Sequence, residues 1–323
     1  MAIKSLLVIR FSAIGDLLLT APILTALSSE AIECDLLVKS KCAEVATALP
    51  GVREIKNWEY DKEELLKNAK ERYDAVLDLQ GTRQSRTFAT SLGLPTATFH
   101  KPYLRRALLL WTKHPRFALE PVVNRYQRAA ETLLQRPLHF PTTIDFNLPA
   151  SPISTQAPCV VAVIGGSQKG KRLSTDQWAK ALRAPLAKGY EIILLGGPSD
   201  APQAAELTAQ IPQATDATST TVLEGLAIVS SAAAVISGDT GFMHAAALMH
   251  KPLVSMWGAT HPALGFAPWP VGEQQKTVVA KSWWTPLHKH GKVPFWAPNP
   301  MRKLDMGELT RAIEQILPDR TTP

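Results

Sequence analysis

The sequence predicts an α/β fold made of two doubly wound domains. Short runs of Val, Ile and Leu alternate with amphipathic stretches twice along the chain, and a proline-rich segment separates the two series. The length of 323 residues matches two domains of about 100 to 200 residues each. Continuous apolar runs are typical of parallel strands that are buried on both faces.

The first series lies within residues 1–150, which we predict to form an N-terminal Rossmann-like domain. Its predicted strands are 6–11, 34–38, 52–55 and 75–79, and its predicted helices are 16–28, 43–49, 62–72 and 82–92. Pro22 predicts a kink or a late start in the first helix, because proline cannot donate a backbone hydrogen bond.

The second series lies within residues 151–323, which we predict to form a C-terminal Rossmann-like domain. Residues 137–158 hold five prolines and little periodicity, so we predict an interdomain linker there. The predicted strands are 159–164, 191–195, 233–237 and 253–257, and the predicted helices are 175–188, 201–210, 241–249 and 304–317. The terminal helix packs either on this domain or back on the first domain.

The composition excludes several classes of protein. With 46% hydrophobic and 20% charged residues, the chain is neither disordered nor fibrous. Cys34, Cys42 and Cys159 are too few and too scattered for a disulfide framework, which favours a reducing compartment. No apolar run approaches the roughly 20 residues that cross a bilayer, and no secretory signal opens the sequence. We therefore expect a cytoplasmic protein.

The positive charge is concentrated in one segment. Residues 81–128 contain nine Lys and Arg residues and one acid, Glu120, whereas the whole chain carries a formal net charge of +7. Apolar side chains such as Tyr103, Trp111 and Phe117 are interleaved with these charges. The segment is either a solvated basic face or a docking surface for a phosphorylated or membrane-embedded substrate. No nucleic-acid-binding motif accompanies it, so we expect no nucleic-acid partner.

Three loops follow predicted strands and carry polar residues, and ligands of such sheets bind beyond the carboxyl ends of the strands. The first loop runs from Arg10 to Asp16. Asp16 is either the N-cap of the following helix or a general base at the edge of the sheet, and the spacing alone favours the N-cap.

The second loop, residues 165–172, reads Gly-Gly-Ser-Gln-Lys-Gly-Lys-Arg. It resembles a P-loop, but Arg172 stands where that motif needs Ser or Thr for magnesium. A capping box at 174–177 predicts that the next helix begins near Thr175 and leaves Lys171 in the loop. We interpret the loop as a cationic diphosphate site outside the P-loop class.

The third loop, residues 237–244, reads Ser-Gly-Asp-Thr-Gly-Phe-Met-His. Glycines allow the backbone to approach a ligand, and a helix N-terminus attracts phosphate. The alternative is an Asp-capped helix with a structural histidine. Because two such loops occur in one domain, we predict a nucleotide diphosphate pocket. The chain contains no Asp-x-Asp pair, so we expect no metal site and no cofactor.

An ordered set of motifs resembles the ADP-heptose lipopolysaccharide heptosyltransferases of glycosyltransferase family 9. The motifs are Ser-Ala-Ile-Gly-Asp-Leu at 12–17, Asp-Leu-Gln-Gly at 78–81, Val-Asn-Arg-Tyr at 123–126, Lys171 before Trp178, 239–244, and Trp-Gly-Ala-Thr-His-Pro at 257–262. The resemblance covers essentially the whole chain. It implies the two-domain GT-B fold with an interdomain cleft, an N-terminal acceptor-binding domain and a C-terminal nucleotide-sugar-binding domain.

The resemblance also implies roles for individual residues. Asp16 corresponds to the catalytic base, and Lys171 is expected to stabilise the leaving diphosphate. The residues expected to bind the nucleotide sugar are Gly166, Ser167, Lys171, Asp200, Asp239, Thr240, Gly241 and His244. The residues expected to contact the acceptor are Ser12, Gln80, Arg83 and Arg125.

From this resemblance we expect an inverting, metal-independent transfer of heptose from ADP-heptose to the lipopolysaccharide inner core. The expected partners are a nucleotide-sugar donor, an anionic glycolipid acceptor and, transiently, the cytoplasmic face of the inner membrane, with the protein a monomer. The alternatives are a family 9 enzyme that uses another sugar and glycan acceptor and, more distantly, a P-loop-like NTPase.

One segment departs from the resemblance. Residues 281–296, which we call the Trp/His tract, contain three tryptophans and two histidines and lack a counterpart in the best-known heptosyltransferases. The tract is either a packed aromatic loop, an acceptor platform or a metal site. A metal site is disfavoured because no carboxylate or cysteine accompanies the histidines.

Overall fold

The computed structural model describes residues 3–141 and 143–318 and divides the chain into two compact units. The first comprises the described residues up to Pro102 together with Glu120–Asn147, and the second comprises Tyr103–Leu119 and the described residues from Leu148 onward. This division differs from the predicted boundary at 150/151 mainly in the segment Tyr103–Leu119, whose end is fixed by a hydrogen bond from Leu119 N to Ala263 O (2.7 Å). The functional domain assignment remains a prediction.

The first unit contains a five-stranded parallel sheet with the order β3-β2-β1-β4-β5. Its strands are β1 (Ser5–Ile9), β2 (Glu33–Val38), β3 (Val52–Asn57), β4 (Ala75–Asp78) and β5 (Thr96–Thr98). Its helices are α1 (Ile14–Leu18), α2 (Ala21–Ser29), α3 (Ser40–Ala46), α4 (Lys62–Arg72), α5 (Arg83–Ser91) and, after α6 of the second unit, α7 (Val122–Leu134). The strand order reverses between β1 and β4, and sheets of this kind form a crevice at that switch point.

The predicted first helix, residues 16–28, is interrupted just before Pro22. Pro22 lies in the first turn of α2, where its missing N–H costs nothing, so residues 16–28 form parts of two helices rather than one. The N-cap interpretation of Asp16 was wrong, because Ala13 is the N-cap and Asp16 lies inside the first turn of α1.

The second unit contains a six-stranded parallel sheet with the order β11-β10-β9-β6-β7-β8. Its strands are β6 (Cys159–Val163), β7 (Glu191–Leu195), β8 (Ala214–Ala217), β9 (Ala234–Gly238), β10 (Leu253–Trp257) and β11 (Gln275–Val279). Its helices are α6 (Tyr103–Thr112), α8 (Thr175–Ala181), α9 (Arg183–Ala187), α10 (Ala201–Gln210), α11 (Val222–Ser231), α12 (Gly241–Leu248) and α13 (Met306–Ile316). This is the strand order of a dinucleotide-binding fold, with its switch point between β6 and β9.

Each sheet is covered by its own apolar core. In the second unit, the residues of β6, β7 and β9 are buried against α8, α10 and the terminal helix α13, which packs on β10 and β11 of the same unit. The three cysteines are free and buried. The prediction of two doubly wound parallel-sheet domains is therefore confirmed. Within the part of the chain that the structure describes, no helix is long and apolar enough to cross a bilayer.

Candidate functional site

In the first unit, Arg10 and Asp16 form an ion pair beyond the carboxyl end of β1. The side chain of Arg10 is 4% exposed and that of Asp16 is 29% exposed, so a buried cation holds a carboxylate that solvent can reach. Arg10 Nη1 also donates a hydrogen bond to Leu79 O (2.7 Å), after β4. The guanidinium therefore links the two strand ends at the switch point and orients the Asp16 carboxylate.

The loop after β4 lies beside the loop after β1. The backbone N–H of Ser12 donates a hydrogen bond to Gln80 Oε1 (3.3 Å). This contact brings together two residues that are predicted to bind the acceptor substrate. Buried Asp78 shapes the loop, because its Oδ1 accepts hydrogen bonds from the N–H groups of Gln80 (3.0 Å) and Gly81 (2.9 Å). Burial raises the pKa of the Asp78 carboxyl.

The other two residues that are predicted to bind the acceptor substrate are arginines on helices. Arg83 is exposed in the first turn of α5, after the Thr82 capping box. Arg125 lies on α7, where its Nε donates to Glu120 O (3.1 Å) and its guanidinium lies 5.1 Å from the centroid of the Phe99 ring. The Phe99 ring packs edge-on against that of buried Tyr126 (4.8 Å), which lies beside Arg10. All four residues thus belong to the first unit.

In the second unit, the two predicted phosphate loops flank the switch point of the sheet. One follows β6 and the other follows β9, and these strands are adjacent. Lys171 connects the loops: its Nζ lies 2.8 Å from Asp239 Oδ2 and donates to Asp239 O (3.0 Å). Both side chains are almost buried, so the lysine is held at a fixed position beside the N-terminus of α12.

The close approach of these loops requires a glycine. A Cβ atom on Gly238 would lie 2.4 Å from the carbonyl oxygen of Lys171, which no side chain could tolerate. As predicted, α8 begins at Thr175 with a Ser174/Gln177 capping box, and Lys171 ends a short 3₁₀ turn before that helix. The P-loop geometry, in which the lysine begins the helix, is therefore absent from the loop 165–172.

The start of α12 is capped by threonine rather than aspartate. Thr240 Oγ1 accepts a hydrogen bond from Met243 N (3.3 Å) and lies 2.9 Å from Ser237 Oγ. The alternative of an Asp-capped helix was wrong, and Asp239 instead contacts Lys171. Gly241 is the first residue of α12, and His244 is buried one turn further along.

Asp200 is engaged within the protein. Its Oδ2 accepts from Gly197 N (2.9 Å) and its Oδ1 lies 2.7 Å from Arg172 Nη1, while Arg172 Nε donates to Gly166 O (2.5 Å). These contacts support the glycine-rich loop, in which Gly166 is half-buried and Ser167 is exposed. A direct role of Asp200 in binding the donor ribose stays a prediction.

The Trp/His tract packs against the same loop. Gly291 has a left-handed backbone (φ +79°), and a Cβ atom there would lie 2.7 Å from Lys171 Cγ. A Cβ atom on Gly170 would lie 2.5 Å from Gly291 O and 2.5 Å from the Ala259 side chain. Three segments of the second unit, around Gly170, Ala259 and Gly291, therefore pack closely in the loop that carries Lys171.

The aromatic residues of the tract pack on one another. The rings of Trp283 and Trp284 are stacked at 3.9 Å, and Trp284 meets Trp296 edge-on at 6.1 Å. The rings of His288 and His290 are 5.7 Å apart. Over residues 3–141 and 143–318, no group of three or more His, Cys, Asp and Glu side chains is placed to hold a metal ion. The tryptophans therefore contact one another, while Trp283, Phe295 and Trp296 stay exposed.

The sequence did not identify two residues, Arg10 and Gly291, that help to position the site. Arg10 directly follows the buried strand β1, and a charged residue there is itself a signal, since charges are rarely buried without a partner. Gly291 had no comparable signal, because its contact with Lys171 spans 120 residues of the chain and depends on tertiary packing.

The basic segment 81–128 is divided between the two units. Its residues Arg105, Arg106, Lys113 and Arg116 belong to the second unit, whereas Arg83, Arg86, Lys101, Arg125 and Arg128 belong to the first.

Comparison with known proteins gives consistent matches. The model of glycosyltransferase family 9 (heptosyltransferase) matches residues 63–293. Lipopolysaccharide heptosyltransferase 1 of Pseudomonas aeruginosa is 24% identical over 289 residues, which cover 79% of each chain. Lipooligosaccharide heptosyltransferase 2 of Haemophilus influenzae is 27% identical over 111 residues, so the match spans 32% of that protein's length.

A solved structure shares the fold. The Escherichia coli heptosyltransferase WaaC with ADP superposes with a TM-score of 0.72 at 18% sequence identity, covering 97% of this chain and 100% of that chain. Since the identity is this low, the likeness concerns the architecture alone. It agrees with the GT-B arrangement of two doubly wound parallel-sheet domains.

Proposed function

Since the chain belongs to glycosyltransferase family 9 (heptosyltransferase), we propose that it transfers heptose from ADP-heptose to the inner core of lipopolysaccharide, with Kdo-lipid A or a heptosylated core as acceptor. The reaction inverts the anomeric configuration and requires no metal ion. The observation that carries this proposal is the pair of loops at the β6/β9 switch point, which hold Lys171 beside the N-terminus of α12.

The donor diphosphate is assigned to these loops of the second unit. Glycines let the backbone approach the phosphates, the N-terminus of α12 attracts negative charge, and the Lys171 ammonium neutralises the charge that develops on the leaving group. Gly166, Ser167, Asp200, Asp239, Thr240, Gly241 and His244 complete the proposed nucleotide-sugar site. The Escherichia coli heptosyltransferase WaaC was solved with ADP, which supports adenine as the base of the donor.

The base and the acceptor contacts are assigned to the first unit. The Asp16 carboxylate accepts the proton of an acceptor hydroxyl, while the hydroxyl oxygen forms a bond to the anomeric carbon and the bond from that carbon to the diphosphate breaks. ADP leaves with the electron pair of the broken bond. Ser12, Gln80, Arg83 and Arg125 are proposed to contact the acceptor, in which anionic groups would pair with the arginines.

The proposal also includes where the protein works. Its acceptor is a glycolipid of the inner membrane, so the protein is proposed to be a cytoplasmic monomer that associates transiently with the cytoplasmic face of that membrane. Neither nucleic acid nor a bound cofactor is part of the reaction as proposed.

The first experiment is a thermal-shift series with ADP, UDP, GDP and ATP, each with magnesium and with EDTA, because a ligand that binds the native state raises its stability. We expect stabilisation by ADP that EDTA leaves unchanged. Transfer of heptose from ADP-heptose to Kdo-lipid A then tests the reaction directly. Stabilisation by UDP or GDP instead would favour another sugar, and a response to ATP that requires magnesium would contradict the proposal.

A further inference from the structure

Two segments that contain none of the residues assigned to the donor, the acceptor or the base meet on the second unit. Lys113, directly after α6, donates a hydrogen bond from Nζ to the carbonyl oxygen of Pro286 in the Trp/His tract. Arg106 lies close enough to Lys289 to act on it: partial burial and then the Arg106 charge lower the pKa of the Lys289 ammonium. Residues 103–119 and the tract therefore form one surface, which we call the aromatic-basic surface.

This surface carries most of the large apolar side chains that are exposed among the described residues. Within the described ranges, nine large hydrophobic side chains are exposed, and six of them lie in these two segments: Tyr103, Leu104, Trp111, Trp283, Phe295 and Trp296. Trp111 is 82% exposed and Trp283 is 76% exposed. Concentrated exposure of this kind marks an interaction surface rather than an ordinary solvated face.

The charge of the surface has one sign. The two segments contain seven Lys and Arg residues and no Asp or Glu: Arg105, Arg106, Lys113, Arg116, Lys281, Lys289 and Lys292. Lys281 pairs with Asp305 (3.0 Å) at one margin. Such a surface is complementary to an anionic partner that also accepts apolar side chains.

The chemistry favours a lipid bilayer over a nucleic acid. Aromatic side chains and cations together are typical of proteins that lie at a membrane interface, where rings enter the headgroup region and cations meet anionic lipids. On α6, aliphatic Leu104 is exposed beside the aromatic residues, and one face of the Trp283 ring is already covered by Trp284. Nucleobases stack on aromatic rings and not on aliphatic side chains, whereas lipid acyl chains pack against aliphatic side chains as well.

We propose that the aromatic-basic surface docks the second unit on an anionic phospholipid bilayer, with Trp111, Trp283 and Phe295 inserted at the interface. The inference rests on the proposed function for the place of the acceptor, and it assigns the membrane contact to residues outside the proposed donor and acceptor sites. The surface, and not the basic segment 81–128 as a whole, is the lipid-binding element.

The test is co-sedimentation of the full chain with sucrose-loaded vesicles of phosphatidylcholine, alone or with one third phosphatidylglycerol. We expect binding to the mixed vesicles that falls with added salt. The variant Trp111→Ser/Trp283→Ser/Phe295→Ser should bind them at least about tenfold more weakly. The control Tyr60→Ser/Val271→Ser removes exposed apolar side chains elsewhere and should bind like the unchanged protein.

Unchanged vesicle binding by the triple variant would overturn the proposal, as would equal binding to neutral vesicles or preference for a single-stranded oligonucleotide. A cooperative thermal transition, measured on each variant without ligand, shows whether the protein is folded. If the triple variant does not fold, the charge reversal Arg105→Glu/Lys292→Glu at two exposed positions decides, and full binding there would refute the proposal. Vesicle binding without any response to ADP would refute the proposed donor instead.

Discussion

Lys171 Nζ lies 2.8 Å from Asp239 Oδ2 and 3.0 Å from the carbonyl oxygen of the same residue. The two residues come from different loops, 68 positions apart, that flank the β6/β9 switch point. The ion pair therefore fixes the ammonium where the proposed diphosphate would bind, so no lysine rearrangement is needed before the donor arrives.

Replacing Lys171 tests the proposed diphosphate site. Lys171→Ala removes a charged hydrogen-bond donor worth about 1.5 to 3 kcal/mol, so the affinity for ADP should fall roughly ten- to a hundredfold. Titration calorimetry with ADP measures the change. Lys169→Ala, an exposed lysine of the same loop, is the control and should leave the affinity nearly unchanged. Equal affinities for the two variants would place the diphosphate elsewhere.

Replacing Gly291 tests whether the Trp/His tract positions Lys171. In Gly291→Ala, the new Cβ atom would meet Lys171 Cγ at 2.7 Å and displace the ammonium, for which we expect a loss in turnover of up to about a hundredfold. The measurement is kcat and KM with ADP-heptose, together with the thermal midpoint.

Gly189→Ala is the matched control for that change. Gly189 has nearly the same left-handed backbone (φ +74°), but a Cβ atom there would have no neighbour within 4 Å. Both variants should lose about 1 to 2 kcal/mol of stability from backbone strain. If Gly189→Ala lowers turnover as much as Gly291→Ala does, the contact with Lys171 has no functional meaning.

The sequence predicts the central strands of both sheets better than their edges. Strands such as β1, β6 and β9 are buried on both faces and are continuous apolar runs, which are recognisable without any partner. The strands that were missed, β5, β8 and β11, are all at sheet edges and contain exposed polar residues. Helices α6, α7 and α11 were also not predicted.

For the candidate site, too, only part could be predicted from the sequence. The loops could be located from the sequence, because ligands bind where parallel strands end. The pairings Arg10 with Asp16 and Lys171 with Asp239 could not be, since they depend on the directions in which side chains leave a folded backbone. Asp16 illustrates this limit: its position at the start of a helix suggested a cap, whereas its partner is the buried Arg10.

Replacing Asp16 tests the proposed base. Asp16→Asn keeps the shape of the side chain but removes its capacity to accept a proton, so turnover should fall by about 10² to 10⁴ while ADP affinity is kept. Single-turnover rates with ADP-heptose measure the effect. Glu63→Gln neutralises an exposed acid of the same unit and should have no effect on rate. Near-normal turnover in Asp16→Asn would remove the base assignment.

Replacing Arg10 separates positioning from charge. Arg10→Lys keeps a positive charge but cannot reach both Asp16 and Leu79 O with one planar group, so the carboxylate loses its orientation. We expect kcat to fall by roughly tenfold or more with little change in ADP affinity. Since the buried pair also supports the fold, the thermal midpoint is measured alongside. A loss of stability without a loss of kcat would make Arg10 purely structural.

Asp35 gives the first unit a stability that depends on pH. Its buried carboxylate accepts hydrogen bonds from Arg53 Nε (2.8 Å) and Tyr73 Oη (2.6 Å), and Arg72 lies 3.2 Å away. Burial alone would raise the pKa of Asp35, but these hydrogen bonds and positive charges lower it overall. A carboxyl with a lowered folded-state pKa stabilises the protein above its unfolded pKa of about 3.9 and loses this contribution as the pH falls through the folded-state value.

Asp35→Asn should therefore lower the free energy of unfolding by about 2 kcal/mol near neutral pH. The difference from the unchanged protein should stay constant from neutral pH down to about pH 5 and shrink below about pH 4, because the unchanged protein then loses its own carboxylate. Calorimetric midpoints across this range measure it. Glu33→Gln removes an exposed partner of the same Arg53 and should show a much smaller difference, since exposed ion pairs contribute little. A difference that grows as the pH falls would mean that folding raises the pKa of Asp35 instead of lowering it.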